Sequence, residues 1–375
     1  MEILVNPSFW NGRRVLVTGH TGFKGSWLTL WLRSLGAEVT GYSSVELSTE
    51  PNLFTLAGAA ADCRDLRGDI ADSGSIQQAF KASRPEIVLH LAAQPLVRES
   101  YRNPKETWRV NVMGTLELLQ ACRASESTRS IVIITTDKVY ENTERGLPFR
   151  EPEPLGGYDP YSSSKAACEI LCASWRRSFL SGDSGSHSGS LFGSLSGSNK
   201  GLATARAGNV VGGGDFAADR LVPDLVRAKL SGQNAHIRYP KAVRPWQHVL
   251  EPLAGYLLLA EQLHGNAAEY SQAFNFGPAK DEMRPVADVV EAVCSSLGTK
   301  WEFENIPQPH EAGVLNLDSG LAKQALAWRP RLPFEEMLRW TCEWYQNWQR
   351  GDDLRSLTLS QIQRYQSLQS LENPE

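Results

Sequence analysis

Two hydrophobic periods alternate along the first half of the chain. Short apolar runs read as strands: Arg13–Thr18 (RRVLVT), Ala37–Ser43 (AEVTGYS), a strand ending in Leu66–Ile70, Ile87–Leu91 (IVLHL), Ile131–Ile134 and Leu202–Ala207. Between them the apolar residues fall at helical spacing. Trp27, Leu28, Leu30, Trp31 and Leu35 share the buried side of one helix, with Gly36 as its stop. Further helices are expected at about Ser75–Lys81, at Pro104–Ala124, and over the segment holding Tyr161 and Lys165. The run IVLHL is almost wholly apolar, as in a parallel strand covered on both faces. Strand alternating with helix predicts an α/β fold with a doubly wound parallel sheet, whose ligands sit at the carboxyl ends of the strands.

The pattern changes after Phe179. Ser181–Asn199 is a Ser/Gly tract that cannot bury a core and is expected as a flexible surface loop. Gly208–Asp215 reads as a glycine-rich turn leading away from the sheet, either a second phosphate site or a plain crossing loop. Helices are expected at Asp219–Leu230, Leu253–His264 and Val286–Leu297. The expected division is a dinucleotide-binding domain over 1–207, with part of 249–275 returning to it, a smaller substrate-binding domain over 208–350, and a tail over 351–375.

Composition narrows the function. The 41% apolar and 21% charged residues are those of a soluble globular protein, and the net charge of -4 argues against nucleic acid or an acidic membrane surface as partner. No apolar run reaches the ~20 residues of a membrane span. The start lacks a basic region and cleavage site, so a cytoplasmic protein without a signal peptide is expected. Of Cys63, Cys122, Cys168, Cys172, Cys294 and Cys342, only Cys168 and Cys172 are close; zinc spacing is lacking, no metal is expected, and the six read as reduced core thiols.

Candidate chemistry gathers at three strand ends. The first strand runs into Gly19-x-x-Gly22-x-x-Gly25 and then a helix, the arrangement that lets backbone approach a pyrophosphate at a helix N-terminus. The second ends in Tyr42-Ser43-Ser44 where an acid would hold the ribose of NAD; this leaves NADP open beside NAD. Asp69-Ile70 either flank an adenine or Asp69 caps the next helix. Small residues, Ala92-Ala93, close the strand at Leu91, and Asn111 is an odd polar residue inside a helix, either a buried anchor or surface. Thr135-Thr136-Asp137-Lys138 ends the strand at Ile134, and Tyr161 and Lys165 at i and i+4 share one helix face. A lysine beside a phenol favours phenolate and makes a base. On its own, Y-x-x-x-K is a common chance spacing and the polar cluster an ordinary strand-end turn. Arg244-Pro245-Trp246-Gln247-His248 suits a diphosphate and a base, or a surface turn.

Taken together, Gly19-x-x-Gly22-x-x-Gly25, Asp69-Ile70, His90-Leu91-Ala92-Ala93, Asn111, Tyr161-x-x-x-Lys165 and Asn275-Phe276-Gly277 resemble the extended short-chain dehydrogenases/reductases, a family of Rossmann-type fold. Thr136-Asp137 before Val139-Tyr140 resembles the nucleotide-sugar 4,6-dehydratases within it. Lys138 where their glutamate is common, GHTGFKGSW at Gly19–Trp27 and RPWQHVLEPL at Arg244–Leu253 are similar to the branch acting on CDP-glucose. The resemblance implies cofactor contacts from Gly19, Thr21, Gly22, Phe23, Lys24, Gly25, Ser43, Asp69, Ile70, Leu91, Ala92, Ala93, Tyr161 and Lys165. It implies substrate contacts from Gln94, Asn209, Arg220, Arg244 and His248, with Arg206 a further candidate, and a homodimer or homotetramer paired through the Asn111 and Tyr161 helices. It also implies oxidation at C4 with Tyr161 as base, supported by Lys165 and Thr136, then loss of water across C5 and C6 with Asp137 as acid and Lys138 as base, then hydride return to C6. Adjacent strand residues point to opposite faces, so Asp137 and Lys138 can share a target only where the strand has ended and the chain turns. A 4-epimerase on the same fold would lack a use for Asp137 and Lys138, and an intact Tyr161/Lys165 pair with a full glycine loop speaks against a non-catalytic NAD(P)-binding member.

Overall fold

The computed structural model describes residues 5–144, 146–180, 200–279, 282–304, 315–369 and 371. The Ser/Gly tract at 181–199 lies outside the described residues. Seven parallel strands form the central sheet: β1 (Arg14–Thr18), β2 (Glu38–Ser43), β3 (Arg64–Arg67), β4 (Ile87–His90), β5 (Ser130–Ile134), β6 (Gly201–Ala207) and β7 (Ala273–Phe276). Their order is β7-β6-β5-β4-β1-β2-β3. The order reverses between β1 and β4, where a doubly wound sheet opens its ligand crevice.

The period of two sorts the strand residues onto two faces. Val15, Val17, Ile87, Leu89, Val132 and Ile134 join one core, which also takes Trp27 and Trp31 of helix Phe23–Ser34 and Leu253, Leu257 and Leu263 of helix Leu250–Gly265. Leu16, Val88, Ile131 and Ile133 join the other, with Ile76 and Phe80 of helix Ser73–Ser83, Leu118 and Leu119 of helix Gly114–Ala124 and Cys172 of helix Pro160–Trp175. The segment 250–276 thus supplies the sheet with a covering helix and its seventh strand.

The rest of the C-terminal half stands outside this sheet. Among the described residues it holds three two-stranded pairs and helices Leu221–Ser231, Val286–Leu297 and Phe334–Arg350. The expected tail is corrected: Leu354–Ser367 is a helix with Ile362 and Tyr365 fully buried, Tyr365 meeting Trp31 edge-on, and Arg355 clasping Asp62 at the far end of the sheet. Only two large apolar side chains on that helix reach zero exposure, too sparse a pattern to announce itself in sequence. Among the described residues no helix is long and apolar enough to cross a membrane.

Candidate active site

The glycine turn is built for close approach. Gly19 has φ +75°, and a Cβ there would lie 2.7 Å from Ala92 N and 2.8 Å from the Leu91 carbonyl carbon, so this turn touches the end of β4. A Cβ on Gly25 would lie 2.1 Å from Gly19 O. Helix Phe23–Ser34 then starts at Gly22 with no side-chain cap, leaving its first amides to face an anion. His20 locks the turn from behind. Its ring lies over Gly41, where a Cβ would come within 2.2 Å, and its nitrogens meet Ser43 Oγ at 3.0 Å and Asp65 at 2.9 Å. Burial, outweighing Asp65, lowers its pKa. Ser43 is thereby spent on His20 and on the Thr21 amide at 3.4 Å. No sequence pattern announced His20; the signal was a glycine inside β2.

Asn111 is the buried anchor. It stands in a π-helical turn, Arg109–Met113, at 0% exposure. Its Oδ1 accepts from Gln94 N at 2.8 Å, while its Nδ2 donates to Ser164 Oγ at 2.8 Å and to Gln94 O at 3.2 Å. One side chain thus ties the end of β4 to the Tyr161 helix. One expectation on this side is corrected, and one of the two alternatives for Asp69 falls. The Gln94 side chain does not reach the cleft, because its amide is consumed by Leu96 N, Leu96 O and Thr107 Oγ1. Asp69 does not cap the following helix; Asp72 does, accepting from Gly74 N at 3.0 Å, while Asp69 pairs with Arg109 at 2.6 Å. Ile70 packs on Gly114, where a Cβ would come within 2.7 Å.

The strand-end cluster resolves the facing problem. β5 stops at Ile134, and Asp137–Val139 form a 3-10 turn capped by Thr136, so Asp137 and Lys138 are not successive strand positions. Both line one cleft of about 310 Å³ together with Phe23, Lys24, Thr135, Thr136, Tyr161, Asn209, Arg220 and Arg244. Asp137 is 2% exposed; its Oδ1 accepts from Thr136 Oγ1 at 3.0 Å and its Oδ2 has no hydrogen-bond partner among the described residues. Burial raises its pKa despite Lys138, Thr136, Arg244 and Lys24. Tyr161 is pushed by burial up to about 12, against a hydrogen bond with Thr136 and the charge of Arg220. Lys165 is buried, its pKa lowered by desolvation, and it donates to Ile134 O at 3.1 Å. Of the two supports expected for the phenolate, Thr136 acts on Tyr161 directly, joined by the charge of Arg220.

Cations ring the rest of the cleft. Arg220 pairs with Asp215 at 2.8 Å, and Arg244, 8% exposed, enters from the strand pair it forms with Arg284. Lys24 donates to Tyr256 OH at 3.4 Å; burial and Arg220 draw its ammonium down to about 7. Two other candidates lie elsewhere. His248 is fully buried between Trp27 and Trp340, both edge-on at 5.8 Å, so it is packed in the core rather than presented to a substrate. Arg206, 3% exposed, is held by Glu169 beneath β5.

Comparisons with known proteins bear on the family and the fold. The family model for GDP-mannose 4,6 dehydratase matches residues 16–188. The CDP-glucose 4,6-dehydratase of Salmonella typhimurium is 42% identical over 366 residues, covering 97% of this chain and 99% of that one. A probable dTDP-glucose 4,6-dehydratase of Sinorhizobium fredii is 27% identical over 88% of this chain and 92% of its own. Among solved structures, the Thermus thermophilus UDP-glucose 4-epimerase complex with NAD superposes with a TM-score of 0.73 at 25% identity, covering 89% of this chain and 99% of that one. The dTDP-glucose 4,6-dehydratase of Streptomyces venezuelae has the same fold, with a TM-score of 0.75 at 23% identity over 91% of this chain and 99% of that one. A match of such identity across nearly the whole of both chains means that this chain belongs to the CDP-glucose 4,6-dehydratase family of extended short-chain dehydrogenases/reductases.

Proposed function

We propose that the chain is an NAD-dependent lyase converting CDP-glucose to CDP-4-dehydro-6-deoxyglucose and water. The full-length likeness to a CDP-glucose 4,6-dehydratase carries this reading. The dinucleotide cradle fits the cofactor: Gly19 and Gly25 leave no room for a Cβ, and the uncapped amides of Phe23 and Lys24 suit its diphosphate. When bound, NAD supplies the hydride acceptor for C4, the hydride later delivered to C6, and a positive ring that favours a Tyr161 phenolate.

The chain's own residues divide the proton work. Tyr161, hydrogen-bonded by Thr136, takes the proton of the sugar 4-hydroxyl. The resulting 4-ketone acidifies the C5 proton, and Lys138 removes it. Asp137, whose pKa burial raises, gives its proton to the 6-hydroxyl, so water leaves. Lys138 then returns a proton to C5, and the proton held on Tyr161 replaces, through solvent, the one Asp137 gave up. Arg220, Arg244 and Asn209 hold the substrate diphosphate. Trp108, Met113 and Ile170 stand 42%, 47% and 58% exposed on the Asn111 and Tyr161 helices, which supports pairing with a second copy there.

The test is incubation with NAD and CDP-, dTDP-, GDP- or UDP-glucose, reading the alkaline absorbance of a 4-keto-6-deoxy sugar. Product from CDP-glucose alone is expected. Formation of CDP-galactose would make the protein an epimerase and remove the roles given to Asp137 and Lys138.

A further inference from the structure

The sheet carries a second concavity at the edge opposite the glycine turn. β1, β2 and β3 begin there with Arg14, Glu38 and Arg64. Helix Phe23–Ser34 ends there with Arg33 in its last turn, and helix Ser73–Ser83 ends there with Arg84 as its C-cap. These side chains and Asp62 line an open groove of about 600 Å³, larger than the cleft at the carboxyl edge. The 12 residues of helix Phe23–Ser34 separate the groove from the glycine turn by roughly 18 Å.

The charges in this groove do not cancel. Asp62 is taken by Arg355, whose Nη2 lies at 2.9 Å, and Arg14 is taken by Glu86 at 3.4 Å. Among the described residues Arg33, Arg64 and Arg84 have no carboxylate partner, and Glu38 has no cationic one. Three unpaired guanidiniums thus share the groove with one unpaired carboxylate. Backbone carbonyls hold the heads in place: Arg64 donates to Ala82 O at 2.9 Å, Arg33 to Ala37 O at 3.4 Å and Arg14 to Arg84 O at 2.8 Å. A guanidinium has five N–H donors, and each of these bonds uses one. Holding the ends of the two helices therefore accounts for one donor of each arginine and leaves the others open to a ligand. Cys63 on the same floor brings no thiolate chemistry, because burial, with Asp65 and Asp62, pushes its thiol up to about 12.

We propose that this groove is a second ligand site, separate from the cleft, that binds a compact polyphosphate chain through Arg33, Arg64 and Arg84. The planar guanidinium fork matches phosphate oxygens, and three such forks around one floor need an anion with more than one charge. The net charge of -4 on the chain as a whole works against a long polyanion such as nucleic acid. None of these residues lines the cleft, so the inference stands apart from the reaction proposed above.

The experiment titrates the full chain with inorganic tripolyphosphate by calorimetry at an ionic strength of about 0.1 M, where attraction between charges more than ~10 Å apart is screened. Wild type, Arg64→Gln/Arg84→Gln and Glu38→Gln are compared, with thermal melts to show that each folds. The double variant is expected to bind at least about tenfold more weakly, and Glu38→Gln about threefold more tightly. Hydrogen exchange on the wild type locates the ligand: tripolyphosphate should slow the amides of residues 61–64 and 82–86. ATP titrated in parallel separates two sources of the same chemistry. Tighter ATP binding identifies a nucleotide, and equal or weaker binding identifies the phosphate chain alone. No binding to the wild type, an affinity unchanged in the double variant, or slowed exchange confined to residues 135–138 would overturn the proposal.

Discussion

The buried pair beneath the reacting strand end offers a quantitative test of how this site is held. Glu169 is 2% and Arg206 3% exposed. The carboxylate accepts from Thr135 Oγ1 and Thr204 Oγ1, each at 2.6 Å, and from Arg206 Nε and Nη2, each at 2.9 Å. Burial alone would raise its pKa, but the hydrogen bonds and charge of Arg206, with both threonines, hold it below the usual carboxylate value. Glu169→Leu removes four acceptor contacts and strands a buried guanidinium. Breaking such a pair costs about 3–5 kcal/mol. With an unfolding entropy of about 2.1 cal/mol/K per residue, a chain of 375 residues has roughly 0.8 kcal/mol/K, so a loss of about 4 kcal/mol lowers Tm by about 5 °C. Arg206→Met leaves the opposite charge stranded, and the double variant should be less destabilised than the two single losses summed, by at least about 2 kcal/mol. The sign with pH follows from the depressed carboxyl. Its contribution is present above the unfolded carboxylate range near ~4.3 and fades as pH falls through the lower folded value, so the gap between wild type and Glu169→Leu narrows in acid. Thermal and urea melts at pH 7 and below pH 4 measure this. A single loss under about 1 kcal/mol, or a strictly additive cycle, would refute the reasoning.

Other consequences are as direct. Gly19→Ala forces a β-carbon into Ala92 N at 2.7 Å and a side chain into φ +75°, so it should abolish measurable NAD binding while a calorimetric melt still shows a folded protein. Asn111→Ala removes three hydrogen bonds at 0% exposure and should cost about 2–3 kcal/mol in urea melts, loosening the Gln94 loop as read by hydrogen exchange. Asp137→Asn keeps the shape but cannot give up a proton, so water loss should fall by at least about 100-fold in steady-state assays while CDP-glucose affinity holds. Burial holds Glu251 near a pKa of about 7, against Tyr365 and the amides of Arg331 and Leu332. The folded state keeps that proton where the unfolded state has lost it, so stability declines as pH rises from about 5 to 7, and Glu251→Gln should flatten the decline by up to about 1.4 kcal/mol per pH unit in urea melts at pH 5, 6 and 7.

How much of this was legible depends on the range of the constraint. The glycine turn could be read because backbone proximity demands glycine at Gly19 and Gly25, and the sheet because period and apolar content are local. The cleft residues Asp137, Lys138, Tyr161, Arg220 and Arg244 were all named from motifs and resemblance, and the fold brings them to one place. What failed was burial of polar groups by partners distant in sequence. His248 belongs to a motif that suits a ligand, yet Trp27 and Trp340, one from each half of the chain, enclose it. Arg206 looked like a phosphate binder until Glu169, 37 residues earlier, claimed it. Gln94 was lost to its own loop, through Leu96 and Thr107. The 3-10 turn at Asp137 was likewise hidden, because hydrogen bonding past the end of a strand leaves no periodic trace.

The central claim is that one cleft oxidises C4, removes water across C5 and C6 and returns the same hydride to C6. CDP-glucose carrying deuterium at C4 tests it most directly, with product analysed by mass spectrometry and NMR. The account predicts deuterium on the C6 methyl of a 4-keto-6-deoxy sugar, together with exchange of the C5 proton with solvent. Deuterium retained at C4 of CDP-galactose, or a keto sugar whose methyl carries none, would contradict it.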